Sequence, residues 1–194
     1  DCFRRNLHDE GVGAVARDYL AGRGIDEPTI EAFELGWVPD DWRGLRDAAA
    51  THGIGDTVLL EAGLLTTSEK SDEPYDRFRG RIIFPIHAVG GRVVAFGGRV
   101  LDDGHPKYLN SPETPVYQKG HVLYGLHRSR HAIRREGSAL VVEGYMDLVA
   151  LAAAGFEHVV ATLGTALTSE QADLLRRYTS RVVMLFDSDK AGLK

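Results

Sequence analysis

The sequence predicts an α+β subdomain followed by an α/β unit with a parallel sheet core. Three observations carry this reading. The first third is a series of short amphipathic stretches, each closed by glycine. Residues 81–86 and 92–96 are apolar, β-rich runs on either side of Gly90-Gly91, the pattern of a hairpin. From residue 139 onward, short apolar runs alternate with helical periodicity, which implies right-handed parallel crossovers.

In order, residues 4–21 read as one amphipathic helix with Val12, Val15, Ala16, Tyr19 and Leu20 facing inward, stopped by Gly22 and Gly24. Asp26 caps a second helix with Pro28 in its first turn, Ile30 and Phe33 inward and Gly36 at its end. Two further short helices lie between Trp42 and Gly53 and between Asp56 and Gly63. Residues 66–76 are polar and turn-rich, so an exposed loop is expected there. Residues 97–101 continue extended to a turn at Asp103-Gly104, and prolines make 106–115 loop-like. A basic helix spans 126–136, ended by Gly137. Strand 139–143, helix 145–154 (Met146, Val149, Ala150 and Ala153 inward), strand 158–163, helix 169–178 with a Thr168/Gln171 capping box, and strand 181–186 complete the series. The organisation is therefore a helical part at 1–65, a basic hairpin part at 66–137 and an α/β part at 138–194. The last of these stops inside its next expected helix, as a fragment would.

Composition bounds the function. In 194 residues, 43% are hydrophobic and 26% charged, ordinary for a soluble globular protein. No apolar run approaches the twenty residues of a membrane span, and the N-terminus lacks a signal peptide's apolar core. The single Cys2 excludes an internal disulfide and a cysteine-rich zinc site, and fits a reducing cytoplasm. The net charge of −5 hides an asymmetry: residues 77–135 carry 11 Lys+Arg against 3 Asp+Glu. A basic block in an acidic chain points to a localised surface for nucleic acid or nucleotide, with a solvated face as the plain alternative.

Two acidic clusters stand at predicted strand ends. Glu143-Gly-Tyr-Met-Asp147 follows one apolar run, and Asp187-Ser-Asp189 follows another. In open α/β sheets this edge is where sites lie. Four carboxylates brought together repel unless a cation neutralises them. Oxygen donors without cysteine suggest Mg²⁺ or Mn²⁺ rather than zinc. Helix capping is the alternative, and it accounts for one acid per strand. Arg77, Arg79 and Arg81 alternate, so they are expected on one strand face, where a row of cations suits a phosphate track. Tyr108 beside Lys107 could stack a base or simply pack. Arg23, between two glycines, reads on spacing alone as a helix C-terminal cation. His127 and His131 read as surface residues, since Arg128 stands where a zinc-protease motif needs Glu. No GxxxxGK[ST] or GxGxxG motif is present, which argues against a nucleotide-hydrolysing motor or a dinucleotide dehydrogenase.

The two acidic segments resemble the TOPRIM domain of primases, topoisomerases and some nucleases. Arg77-Phe-Arg-Gly-Arg-Ile-Ile-Phe-Pro-Ile86, Phe96-Gly-Gly-Arg99, Pro106-Lys-Tyr-Leu-Asn-Ser-Pro-Glu-Thr114, Lys119-Gly120 and Leu123-Tyr-Gly125 narrow the resemblance to the RNA polymerase domain of bacterial DnaG-type primases, over nearly the whole chain. That resemblance implies an α+β N-terminal subdomain followed by the first part of a TOPRIM domain. It implies a nucleotidyltransferase that makes short RNA primers on single-stranded DNA from ribonucleoside triphosphates during replication, by two-metal chemistry with Mg²⁺ or Mn²⁺. Glu143, Asp187 and Asp189 match the family's catalytic acids, with Asp147 beside them as a further metal ligand. Arg99, Lys107 and Lys119, with Arg23, Arg77, Arg79 and Arg81, match its basic ridge. Ser188 stands where the family usually has Gly. The family's third acidic pair lies beyond Lys194, as do its helicase-contacting C-terminal domain and, at the other end, its zinc-binding domain. A binding-only fragment and another TOPRIM enzyme, a nuclease or topoisomerase, are the competing readings.

Overall fold

The computed structural model describes residues 1–69, 71–101, 104–164 and 166–186. The chain divides into two compact units, Asp1–Pro85 with Ala95–Pro115, and Ile86–Val94 with Val116–Lys194.

The first unit begins with α1 (Cys2–His8), α2 (Ala14–Gly22) and α3 (Glu27–Ala32). The single helix expected over 4–21 is thus two helices. The Asp9 carboxylate accepts from the backbone N–H groups of Gly11 (3.0 Å) and Val12 (2.8 Å), an Asx turn that competes with the helical ladder. Arg17 donates to the carbonyls of Leu7, Asp9 and Glu10, satisfying acceptors that the end of α1 leaves open. The break re-phases the pattern. Val12 and Val15 are 46% and 55% exposed, whereas Ala16 and Leu20 are buried.

Asp26 caps α3 as expected, accepting from Thr29 N–H at 3.0 Å. Gly36 does not end that helix; it opens strand β1 (Gly36–Val38). A side chain there would come within 2.5 Å of Phe3 Cβ, so only glycine lets α1 lie this close to β1. Helices α4 (Gly44–Ala50) and α5 (Asp56–Glu61) follow where the glycine spacing puts them.

The stretch 66–76 is not a loop. It forms a two-stranded antiparallel ribbon of β2 (Leu65–Ser68) and β3 (Ser71–Asp76), with Thr66 opposite Tyr75 and a bulge between Thr66 and Ser68. Cross-strand pairing of a β-branched residue with an aromatic outweighs the polar composition. Asp76 fastens the ribbon. It is fully buried, and its carboxylate accepts from Leu45 N–H (2.6 Å) and Arg46 N–H (3.1 Å), the first turn of α4. Burial pushes its carboxyl above the ordinary range, while those two N–H groups pull the other way. Helix α4 has no side-chain cap of its own, so Asp76 supplies it from a distant strand.

β1 joins β4 (Arg81–His87), β5 (Val93–Val100) and β6 (Tyr108–Asn110) in a sheet of order β1-β4-β5-β6. Gly97 faces Asn110 and Arg99 faces Tyr108 across β5 and β6. Phe3, Val38, Phe78 and Ile83 form the core beside it, with Phe96 edge-on to Phe3 at 5.4 Å. The predicted turn at Asp103 lies outside the described residues.

The second unit contains α6 (Leu126–Glu136), β7 (Ala139–Val142), α7 (Tyr145–Ala153), β8 (Val159–Ala161), α8 (Ser169–Arg176) and β9 (Val182–Leu185). The strands form a parallel sheet of order β8-β7-β9, the α/β alternation that the sequence predicts. Its core joins Leu123, Leu126, Ile133, Val141, Val160 and Leu175. On α7 the inward face is rotated from expectation: Tyr145 and Leu148 are buried with Met146 and Val149, and Ala150 and Ala153 are exposed. The larger side chains take the contact with the sheet.

His131 is exposed, as expected, but His127 is half-buried and stacks on His87 with ring centroids 4.1 Å apart. Burial, then His87, Arg128 and Arg130, lower its pKa to about 4. The unfolded chain therefore takes up this proton first as pH falls, and stability drops between pH 6.5 and 4. His127→Gln should flatten that dependence by about 1–2 kcal/mol, allowing for partial solvent screening, in urea unfolding at pH 7.5 and pH 5. Separately, Asp76→Ala should lower the unfolding free energy by about 2–4 kcal/mol in the same assay, since two helix-start donors lose a buried acceptor.

Candidate functional site

The basic residues of the first unit divide into distinct settings. Arg23, Arg99 and Lys107 line one cleft of about 540 Å³, together with Tyr19, Leu101, Gly104 and His105. Arg99 is its anchor. It is 6% exposed, and its Nε donates to the Tyr19 hydroxyl at 2.6 Å while Nη1 donates to the Tyr108 hydroxyl. Its guanidinium carbon lies 5.4 Å from the Tyr19 ring centre and 5.1 Å from that of Tyr108. Arg23, at the C-cap of α2, has its guanidinium carbon 5.3 Å from the Tyr19 ring centre. Tyr19 and Arg23 are four apart on the same helix face, which brings them together. Lys107 is exposed at the lip. Three predicted cations thus converge on one concave surface, and Tyr108 supports Arg99.

The other arginines have different surroundings. β3 ends at Asp76 and β4 begins at Arg81, so Arg77, Arg79 and Arg81 do not share a strand face. Gly80, at φ 57°, turns the chain between them. Arg77 donates to the Asn110 carbonyl at 3.0 and 3.3 Å, and burial lowers its pKa from the ordinary guanidinium value. Arg81 is buried and donates to the Gly98 carbonyl at 3.4 Å. Arg79 lies over the Trp42 ring at 3.9 Å and near Tyr75 at 5.0 Å, and donates to the Asp76 carbonyl. Trp42 is 56% exposed, so this cation–π pair faces solvent.

Sequence reasoning missed Trp42, His105 and the role of Tyr19. Trp42 sits just before α4 in a stretch without motif, and only the fold sets it against Arg79. Tyr19 carried a signal in its i,i+4 spacing to Arg23, which the assumed inward face of the helix obscured.

In the second unit, Glu143 follows Val142 at the C-terminal end of β7 and is half-buried. The parallel register puts Leu185 of β9 opposite Val142, so the ends of the two strands share one sheet edge. Asp187 and Asp189 lie outside the described residues. Asp147 behaves as the capping alternative requires: at the third position of α7, it accepts from the Gly144 N–H at 3.2 Å. Lys119 is half-buried in a single 3₁₀ turn, Lys119–His121. Among the described residues, the one three-residue group with metal-ligand spacing is elsewhere: His8, Glu27 and Glu31, all exposed. His8 lies 3.2 Å from Glu27 and 2.8 Å from Glu31, and Arg4 also pairs with Glu31 at 2.7 Å, so this group reads as an ion-pair network.

Comparison with known proteins gives this geometry a context. Residues 2–130 match the family model described as DNA primase catalytic core, N-terminal domain, and residues 140–194 match a Toprim-like model. The DNA primase of Deinococcus radiodurans is 53% identical over 195 residues, all of this chain and 33% of that protein. That of Clostridium acetobutylicum is 47% identical over 192 residues, 98% of this chain and 31% of that protein. The chain thus spans about a third of the length of these relatives. A DnaG primase catalytic domain bound to single-stranded DNA superposes with a TM-score of 0.88 at 42% identity, covering 98% of this chain and 61% of that one. A DNA primase domain from Pseudomonas aeruginosa gives 0.89 at 43% identity, covering 98% and 60%. With its N-terminal core matched over residues 2–130, its parallel strands matched as Toprim-like, and this degree of identity, the chain belongs to the bacterial DNA primase family.

Proposed function

We propose that this chain carries the nucleotide- and template-handling surface and part of the reaction centre of a primase, a DNA-directed RNA polymerase that starts RNA primers on single-stranded DNA from ribonucleoside triphosphates. The observation that carries the reading is the cleft where Arg23, Arg99 and Lys107 converge. Membership of the primase family supplies the reaction class, and a relative solved with single-stranded DNA supports the template. No described helix is long and apolar enough to cross a membrane, and the cytoplasm, where replication occurs in bacteria, is the compartment this function requires.

The residues divide the work as follows. Arg99, held rigidly by two tyrosine hydroxyls, is pre-organised to receive phosphate oxygens through its remaining donors. Arg23 and Lys107 add charge at the cleft mouth. Lys119 contributes a further phosphate contact. Trp42, with Arg79 on its face, offers a flat surface for an unpaired base of the template, while backbone phosphates follow the cations. Arg77 and Arg81 hold the backbone that presents these groups, rather than touching ligand. Glu143, with Asp187 and Asp189, supplies oxygen donors suited to Mg²⁺ or Mn²⁺. Bound there, the metal pair would activate a 3′-hydroxyl and neutralise the leaving pyrophosphate. Asp147 shapes the turn next to Glu143 through its bond to Gly144.

The following measurements test this. Lys107→Ala should weaken single-stranded DNA or nucleotide binding by about 3- to 10-fold and reduce the salt slope of DNA binding by about 0.7, in fluorescence titrations between 50 and 200 mM salt. Arg77→Met should instead lower the melting temperature with little change in affinity. Equal affinity loss in the two variants would reverse the assignment. Glu143→Gln should reduce primer synthesis by at least about 100-fold while leaving the melting temperature within about 2 °C. Primer synthesis by this chain alone, compared with one extended to its relatives' length, would separate an active core from a binding-only one. Nicking of DNA without ribonucleotide incorporation would favour another TOPRIM chemistry.

A further inference from the structure

Two residues of the proposed site, Glu143 and Lys119, lie in the second unit on separate elements. One connection touches both. It runs from the end of β8 to the start of α8. At its beginning, Thr162 N–H donates to the Val142 carbonyl at 3.1 Å, and Gly164 N–H donates to the Glu143 carbonyl at 3.0 Å. Between them Leu163 is buried with φ 69°, followed by Gly164 at φ 78°. A leucine in the left-handed region is disfavoured, and it persists where the surroundings over-determine it.

At the other end of the connection, Thr168 Oγ donates to the Gly120 carbonyl at 2.6 Å. Gln171 is fully buried, and its Nε2 donates to the Val122 carbonyl at 2.8 Å and the Lys119 carbonyl at 3.3 Å. The same two side chains also form the capping box of α8. Gln171 Oε1 accepts from Thr168 N–H and Thr168 Oγ accepts from Gln171 N–H, both at 3.1 Å. Each polar group is therefore used twice, once to start the helix and once to hold the turn that bears Lys119. Starting a helix needs only the first set of bonds. The second set is a tether across roughly fifty residues of chain.

We infer that Gln171 and Thr168 are positioning residues for Lys119, and that the β8–α8 connection ties the Lys119 turn to the backbone of Glu143. The inference rests on the reading of Lys119 as a phosphate contact given above. Lysine is a compact charge on a flexible stem, so its reach is decided by where its backbone is held. Held from the helix that follows β8, the backbone of the Lys119 turn has a set place from which the side chain reaches. Displacing a charge by an ångström near a reacting phosphate costs far more than one hydrogen bond.

The experiment separates positioning from stability. Gln171→Glu retains the acceptor for Thr168 N–H, and with it the helix cap, but removes both donors to the turn. Thr168→Val removes the hydroxyl and Thr168→Ser returns it. Steady-state primer synthesis by the intact primase, with thermal unfolding in parallel, reads the outcome. Gln171→Glu is expected to raise the nucleotide KM by about 3- to 10-fold with kcat changed less than about twofold, as Lys119→Ala does. The double variant should be no worse than Lys119→Ala alone. Thr168→Ser should restore the KM that Thr168→Val raises. Independent, multiplying effects of Gln171→Glu and Lys119→Ala, or a fall in melting temperature with KM unchanged, would overturn the tether. Should Gln171→Glu not fold, the Thr168 pair decides alone: equal KM in the two variants overturns it. A KM unaffected by Lys119→Ala would instead remove the phosphate role of Lys119, on which the tether depends.

Discussion

The first unit depends on how it buries one positive charge, which among the described residues is met by hydroxyls and aromatic faces. Arg99 is almost fully withdrawn from solvent, and the partners described for its guanidinium are two tyrosine hydroxyls and two aromatic faces. A carboxylate there would neutralise the cleft and compete with any incoming phosphate. Hydroxyls satisfy the geometry and leave the charge in place. The consequence spreads outward. Tyr19 must be carried by α2, Tyr108 by β6 and Arg99 by β5, so the sheet register Arg99–Tyr108 and the docking of α2 serve one cation. Arg81 donates to the Gly98 carbonyl and Arg77 to the Asn110 carbonyl, so both also tie the backbone of this sheet together.

The second unit solves the opposite problem, presenting acid at a sheet edge. Parallel pairing of β7 with β9 brings two strand ends together, and Asp147 turns the chain into α7 directly after Glu143. The first residues after β7 are thus partly used in building the edge itself. This is why helix capping and metal binding look alike in sequence: both want carboxylates where helices begin. Within Glu143–Asp147 the second acid accepts from the Gly144 N–H at the start of α7.

Much of this was legible in the sequence. Glycine at helix ends, the Thr168/Gln171 box and the β–α alternation each act over a few residues, so local chemistry decides them. The convergence of Arg23, Arg99 and Lys107 was reached through resemblance rather than spacing. What escaped was set by tertiary contact. The helix break at Asp9–Gly13 turns on Arg17 reaching back to three carbonyls. The β2–β3 ribbon looks polar because its purpose is to deliver Asp76 to a helix thirty residues earlier. The alternation of Arg77, Arg79 and Arg81 suggested a strand that Gly80 interrupts. His127 looked like a surface residue because nothing local foretells its stacking on His87.

The buried Asp76 has a consequence for motion. Its carboxylate caps α4, its carbonyl accepts from Arg79, and its N–H donates to the Trp42 carbonyl at 2.8 Å. The ribbon, the first turn of α4 and the Trp42–Arg79 surface are therefore joined through one residue. Opening one of them breaks bonds to the others, which favours their unfolding together. A base settling on Trp42 would stabilise that whole unit, so slower amide exchange in α4 and β3 would report template occupancy at a distance from the contact itself.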